Sequence, residues 1–169
     1  DWLASRLIEA GWSWKSLHRE LMLSATYEMS AAHDPRAVEL DPDNRLLWRT
    51  NRRRMEAEVV RDALLQVSGE LDTRFGGTLL EAKPREYVAS TASINKTNYD
   101  SPRRSLYLPV VRSALYELYQ AFDFAEPTVT KGDRETTTVA SQALLMMNST
   151  LVTRQAELLA QRAMQTSAD

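Results

Sequence analysis

Apolar residues recur at three- and four-residue steps over most of this chain, and that spacing predicts helices rather than strands. From Asp1, the run WLASRLIEA sets Trp2, Leu3, Leu7, Ile8 and Ala10 on one side of a short helix, with Asp1 as cap and Gly11 as stop. Ser13 caps a second helix, in which Trp14, Leu17, Leu21, Met22, Ala25 and Met29 continue the stripe. So short a link predicts a helical hairpin over residues 2–29. The period fails over residues 30–44, where Asp34-Pro35, Asp41-Pro42 and Asn44 read as turn chemistry in a surface loop. Leu46, Leu47 and Trp48 are then expected to return to the core. The clearest pattern follows, over residues 51–69. Asn51 is the expected cap and Gly69 the end, with Met55, Val59, Val60, Ala63, Leu64 and Val67 on one face. On the polar face Arg54 and Glu58 stand four apart and attract. Glu58 and Asp62 repel, which sends them to Arg61 or to a neighbouring element.

Beyond Gly69, Gly76-Gly77 predicts a turn, and residues 81–100 have neither helical nor strand period. Leu106, Leu108 and Val110 alternate, but Pro109 removes a ladder donor, so only an edge or extended segment fits before a helix from near Ser113. Residues 127–133 read as a loop. Thr136 to Thr138 offer caps for a helix carrying Val139, Ala143, Leu144, Met146 and Met147; a last helix turns Leu151, Val152, Leu158, Leu159 and Met164 inward. The expected fold is mainly α: a helical bundle of about five to six helices, paired at 2–29 and 138–164, with at most a small extended or β element near residues 104–111. A single domain over 1–169 is expected.

Composition narrows the function classes. The 169 residues are 43% hydrophobic and 26% charged, with 21 Lys and Arg against 23 Asp and Glu, an ordinary globular balance without a field to draw in nucleic acid. No apolar run is long enough to span a bilayer. The absence of cysteine removes disulfides, thiolate metal sites, cysteine nucleophiles and covalent haem attachment from this sequence. The chain opens at Asp1 directly in an amphipathic pattern, which predicts a piece of a longer polypeptide.

Candidate chemistry is sparse. His18 and His33 have no second ligand at metal spacing, so no metal site is expected. Glu56, Glu58 and Asp62 could pair for acid and base work, yet Arg52 to Arg54 beside them favour a salt-linked face. No serine sits in a nucleophile elbow. The more basic stretch of residues 81–104 holds Lys83, Arg85, Lys96, Arg103 and Arg104, with Tyr87 and Tyr99 in it and Tyr107 beside it. Tyrosines among basic groups can make a platform for a sugar, though packing back on the core is the simpler role. A polar set, Asp123, Arg134, Thr136, Thr137, Gln142 and Asn148, crowds two helix starts. Its expected role is structural, with ligand binding as the alternative: a carboxylate facing Arg134 and a capped helix start would fix residues 124–135.

The segments RRSLYLPVVR, FDFAEP, DRETTTVASQALLMMNS, GWSWKSLHRELMLSATYEMS and RRRMEAEVVRDALLQVSGEL closely resemble the planctomycete-specific domain one family, a C-terminal domain of unknown function, over nearly the whole chain. The resemblance implies an exported protein, periplasmic or at the cell surface, with a cytochrome-c-like haem domain upstream, so that no cofactor is bound here. It also hints at polysaccharide processing. It supplies no catalytic residues; the family-like positions are Arg103, Arg104, Asp123, Arg134, Thr137, Gln142 and Asn148. Two readings stand open: a non-catalytic interaction or scaffold module docking on sister domains, and a domain that binds or acts on anionic polysaccharide through Tyr87, Tyr99 and the nearby arginines.

Overall fold

The computed structural model describes residues 1–79, 99–112 and 115–166. Over these the chain is mainly helical, with seven α-helices, one 3-10 turn and no sheet. It divides into two compact units, Asp1–Arg53 and Arg54–Asp169.

In the first unit α1 (Trp2–Glu9) and α2 (Trp14–Met22) form the expected hairpin. Gly11 and Trp12 both take left-handed backbone, at φ 62° and 63°, and their N–H groups satisfy the last carbonyls of α1 at Ile8 and Leu7. Ser13 caps α2, its Oγ accepting from the Ser16 N–H at 3.3 Å. The helix stops at Met22, short of Met29. Ser24 is the reason, because its Oγ donates to the Leu21 carbonyl at 2.7 Å and accepts from the Tyr27 N–H at 3.3 Å, replacing the helical pattern with a local turn. Asp34-Pro35 turns out to be a helix start. Asp34 Oδ1 accepts from the N–H of Arg36 at 2.9 Å and of Ala37 at 3.3 Å, and Pro35 opens α3 (Pro35–Leu40) at the one place where a missing N–H costs nothing.

Leu46 and Leu47 stay exposed, contrary to expectation, because the interior here is polar. The buried Asp41 carboxylate accepts from the N–H of Arg45 at 3.0 Å and of Leu46 at 2.7 Å, while its carbonyl accepts from Trp48 Nε1 at 2.9 Å. Buried Asn44 donates from Nδ2 to the Arg49 carbonyl at 2.9 Å and to Asn51 Oδ1 at 3.1 Å. Asn51 is therefore no helix cap; its side chain belongs to this knot.

The second unit is built around α4 (Ala57–Ser68), which packs against α5 (Glu117–Ala121), α7 (Thr150–Thr166) and the 3-10 turn Ser105–Tyr107; α6 (Ala140–Asn148) packs on α5 and α7. Gly69 ends α4 as expected: at φ 88° it lets the N–H groups of Glu70 and Leu71 reach the Leu65 carbonyl at 2.9 and 3.0 Å. The buried face is not the expected one. Ala57, Arg61, Leu65 and Ser68 point inward, Leu64 is half-buried, and Met55, Val59 and Val67 are exposed. Arg61 is the cause, since an arginine held inside turns the helix about its own position. Ala57 packs with Leu108, Leu118, Tyr119 and Phe122, and aromatic rings extend this core: Tyr119 stacks on Phe124 with centroids 4.7 Å apart and meets Tyr116 edge-on at 5.2 Å.

Near residues 104–111 the chain forms the 3-10 turn in place of an extended strand. Among the described residues, the one β-type pairing is an isolated bridge between Asp72 and Arg103. Asp62 imposes the turn, accepting from the Ser105 N–H at 2.8 Å and from its Oγ at 2.7 Å. The helix expected from Ser113 begins at Glu117; residues 113 and 114 lie outside the described set. In α6 and α7 the buried positions are Gln142 and Gln155, while Leu144, Met147, Leu159 and Met164 are exposed.

Leu65, 2% exposed, and half-buried Leu64 discriminate the two faces of α4. Leu65→Ala is expected to cost about 2–5 kcal/mol in urea unfolding, and Leu64→Ala less. A larger loss from Leu64→Ala would restore the face expected from periodicity.

Candidate functional site

The second unit carries an open groove of about 660 Å³ between α4 and residues 104–110. Val59, Ala63, Leu71, Leu106, Leu108 and Val110 supply apolar lining, and Glu56, Glu58, Asp62 and Arg104 supply its charges. The charges follow from α4 itself, because Glu58 and Asp62 are four residues apart and emerge on one side. Each has found its own partner. Glu58 accepts from Arg134 through both oxygens, at 2.8 and 2.9 Å, and Asp62 holds Ser105. Burial raises the Glu58 carboxyl, but the Arg134 hydrogen bonds, a backbone hydrogen bond at Glu58 and the charge of Arg134 together outweigh it and hold the group below its ordinary value. Arg134 is raised in turn, first by the same hydrogen bonds. A general acid needs a carboxyl pushed the other way, so the Glu58 side of the groove is built to stay ionised.

Of the polar set singled out from sequence, Asp123, Thr137 and Gln142 come together. Asp123, in left-handed backbone at φ 56°, accepts from the Thr137 N–H at 2.7 Å and from its Oγ1 at 2.8 Å, closing the ends of residues 124–136 onto each other. Gln142, 2% exposed, donates from Nε2 to the Thr137 carbonyl at 3.3 Å and accepts at Oε1 from Arg54 Nη2 at 2.5 Å. Arg54 also donates to Thr138 Oγ1 at 2.6 Å, so it serves the start of α6 and not Glu58. Arg134 joins elsewhere: the carboxylate it faces belongs to Glu58, and its guanidinium lies 5.1 Å from the Phe124 ring centre. Asn148 donates to the Leu144 carbonyl within α6, and Thr136 is exposed.

The basic stretch divides likewise. Arg103 lies over the Tyr107 ring at 4.4 Å and donates from Nη2 to the carbonyls of Arg74 at 3.0 Å and Gly76 at 2.5 Å, while Arg104 is exposed on the groove. Tyr107 accepts from the Gly76 N–H at 3.0 Å. Tyr99 stacks face to face on Tyr116 with centroids 4.4 Å apart, and so packs back on the core. Tyr87, Lys83, Arg85 and Lys96 lie outside the described residues. His18 and His33 are exposed, and among the described residues no three His, Cys, Asp or Glu converge as a metal site would require.

Sequence reasoning missed the most constrained residue of all. Arg61, fully buried, donates from Nη1 to the Arg103 carbonyl at 2.8 Å, and from Nη2 to the Tyr99 carbonyl at 3.2 Å and to the Ser101 carbonyl. Its nearest carboxylate oxygen, on Asp62, is 3.7 Å away. The available signal was the row Ala57, Arg61, Leu65, Ser68, whose spacing is as helical as that of the apolar set.

A family model described as PSD1, protein of unknown function (DUF1553), matches residues 1–169. The chain belongs to this family. No curated protein and no solved structure matches it. For this PSD1 domain the groove is a surface with an apolar lining and engaged carboxylates, and nothing in its geometry indicates catalysis or carbohydrate binding.

Asp72 gives the charge network a pH signature. Its carboxyl is lowered to about 2, chiefly by side-chain hydrogen bonds from Arg74, and Glu70 is lowered by Gln155 and Arg154. Glu58, Glu70 and Asp72 all titrate lower folded than unfolded, so the unfolded chain binds more protons as pH falls. The stability they contribute is complete above the ordinary carboxylate value of about 4 and is lost as pH drops towards about 2. Arg134→Met is expected to lower the urea midpoint at neutral pH. That gap from wild type should narrow as pH falls towards about 3; a pH-independent gap would show that the Glu58 pair contributes nothing.

Proposed function

We propose that this domain is a non-catalytic interaction module of an exported multidomain protein, and that its helical hairpin docks on another domain of the same polypeptide. The observation that carries this reading is the apolar surface of the hairpin. α1 and α2 bury only Leu7 and Leu17, whereas Trp2, Ile8, Trp12, Trp14, Met22 and Leu23 are exposed, Trp12 by 67%. Three exposed tryptophans on two short helices and the link between them are a large apolar area to leave in water, and such patches mark interaction sites. Aromatic anchors of this kind carry most of the energy of a protein interface.

The polysaccharide reading has less support. One face of Tyr99 is covered by Tyr116, and Arg103 is engaged by two carbonyls and the Tyr107 ring. A sugar platform needs such a ring face open and donors to spare.

Hydrogen exchange tests the docking reading. Amides of α1 and α2 should exchange about tenfold more slowly, or slower still, in the intact polypeptide than in isolated residues 1–169, and Trp12→Ser should reduce that difference. Equal exchange in both settings would contradict it.

A further inference from the structure

The first unit contains a cavity of about 790 Å³ whose lining includes Leu21, Thr26, Tyr27, Leu47, Arg49 and Arg53. Its lining shares no residue with that of the groove on α4, and among the described residues neither of its two arginines has a carboxylate within ion-pair distance. Arg49 is also partly withdrawn from water. Its Nε is shielded and has no hydrogen-bond acceptor, and its guanidinium lies 4.9 Å from the Trp48 ring centre. A cation that has lost hydration without gaining a counter-charge interacts strongly with any anion that reaches it.

The loop that presents Arg49 is held in shape. Asn44 grips it at both backbone groups, donating to the Arg49 carbonyl at 2.9 Å and accepting from its N–H at 3.3 Å. Trp48 is anchored through Nε1 on the Asp41 carbonyl. Within this loop Asn44 and Leu47 adopt left-handed backbone at φ 54° and 56°, a conformation that leucine rarely takes. Strain of that sort persists where surrounding contacts over-determine it, and it collects at ligand sites. Buried Asp41 and Asn44 supply those contacts, using polar groups where an apolar core would be ordinary.

We propose that this cavity binds an oxyanion, either a carboxylate or a tetrahedral sulfate or phosphate group. Arg49 is the fixed, planar donor fork and Arg53 the second cation. Thr26 and Tyr27, which carry hydroxyls, line the same space, and Leu21 and Leu47 give an apolar body somewhere to rest. The proposal rests on residues of the first unit alone and is independent of whether the hairpin docks.

The test is a titration of the 169-residue chain with sodium malonate, sodium sulfate and sodium phosphate at constant ionic strength, read by tryptophan fluorescence because Trp48 lies against Arg49. At least one anion should give a saturable change. Its Kd should weaken about tenfold or more in Arg49→Met, while Arg52→Met, outside the cavity lining, should bind as wild type. Preference for malonate identifies a carboxylate ligand, and preference for the other two a tetrahedral one. Arg53→Gln leaves the Asn44 contacts in place and should also weaken binding, so it decides the matter if Arg49→Met does not fold. Unsaturating responses to all three anions would overturn the proposal. So would equal weakening in Arg52→Met, or wild-type binding by Arg53→Gln where Arg49→Met cannot be read.

Discussion

A guanidinium with no exposed surface sits at the centre of the second unit, and the rest of that unit is arranged to make it tolerable. Removing a cation from water is costly, and a single carboxylate oxygen at 3.7 Å does not repay it. What repays it is a set of backbone carbonyls, at Tyr99, Ser101 and Arg103, converging on the two terminal nitrogens of Arg61. Carbonyls can converge only if the chain turns sharply. The Asp62 grip on Ser105 supplies that turn, so two adjacent residues of α4 set the path of residues 99–105.

The same arrangement recurs at each end of α4. At its C-terminal end buried Ser68 donates to Gln155 Oε1 at 2.5 Å, and Gln155 donates to Glu70 at 2.9 Å, fastening α7 alongside. Before its N-terminal end Arg54 reaches Gln142 and fastens α6. Each contact hides a polar side chain that would be costly if unpaired and contributes modestly when paired. Such contacts select one packing among many. Among the described residues the apolar core is small, a cluster of five buried side chains that includes Ala57 and Tyr119, which leaves specificity to the hydrogen bonds.

Elements with strong local signals were legible in the sequence: the α1–α2 hairpin, the Ser13 cap, the Gly69 stop and the mainly helical class. The face of α4 was not, because periodicity assigns burial by polarity and Arg61 is buried against its polarity. Asp34-Pro35 carries the same letters in a turn and at a helix start, and only the two N–H groups received by Asp34 distinguish them. Of the polar set around residues 123–148, Asp123, Thr137 and Gln142 meet near the start of α6, while Arg134 and Asn148 bond elsewhere. The partners of the set were not predictable, since the carboxylate meeting Arg134 lies 76 positions away at Glu58. Leu106 and Val110 alternate like a strand, but Asp62 dictates a 3-10 turn through contacts no local pattern encodes.

The proposed interaction role fits a second unit in which the polar side chains along α4, Arg61, Asp62 and Ser68, are engaged in holding its neighbours. That view depends on Arg61 organising the second unit rather than merely being accommodated by it. The direct test is urea unfolding of Arg61→Met beside wild type, with hydrogen exchange followed at residues 99–107. Loss of about 3 kcal/mol or more, the expected cost of stranding buried carbonyls, together with loss of protection over those residues, is the result this account predicts. A change below about 1 kcal/mol with protection intact would show that α4 and its neighbours pack without the buried cation, and would contradict it.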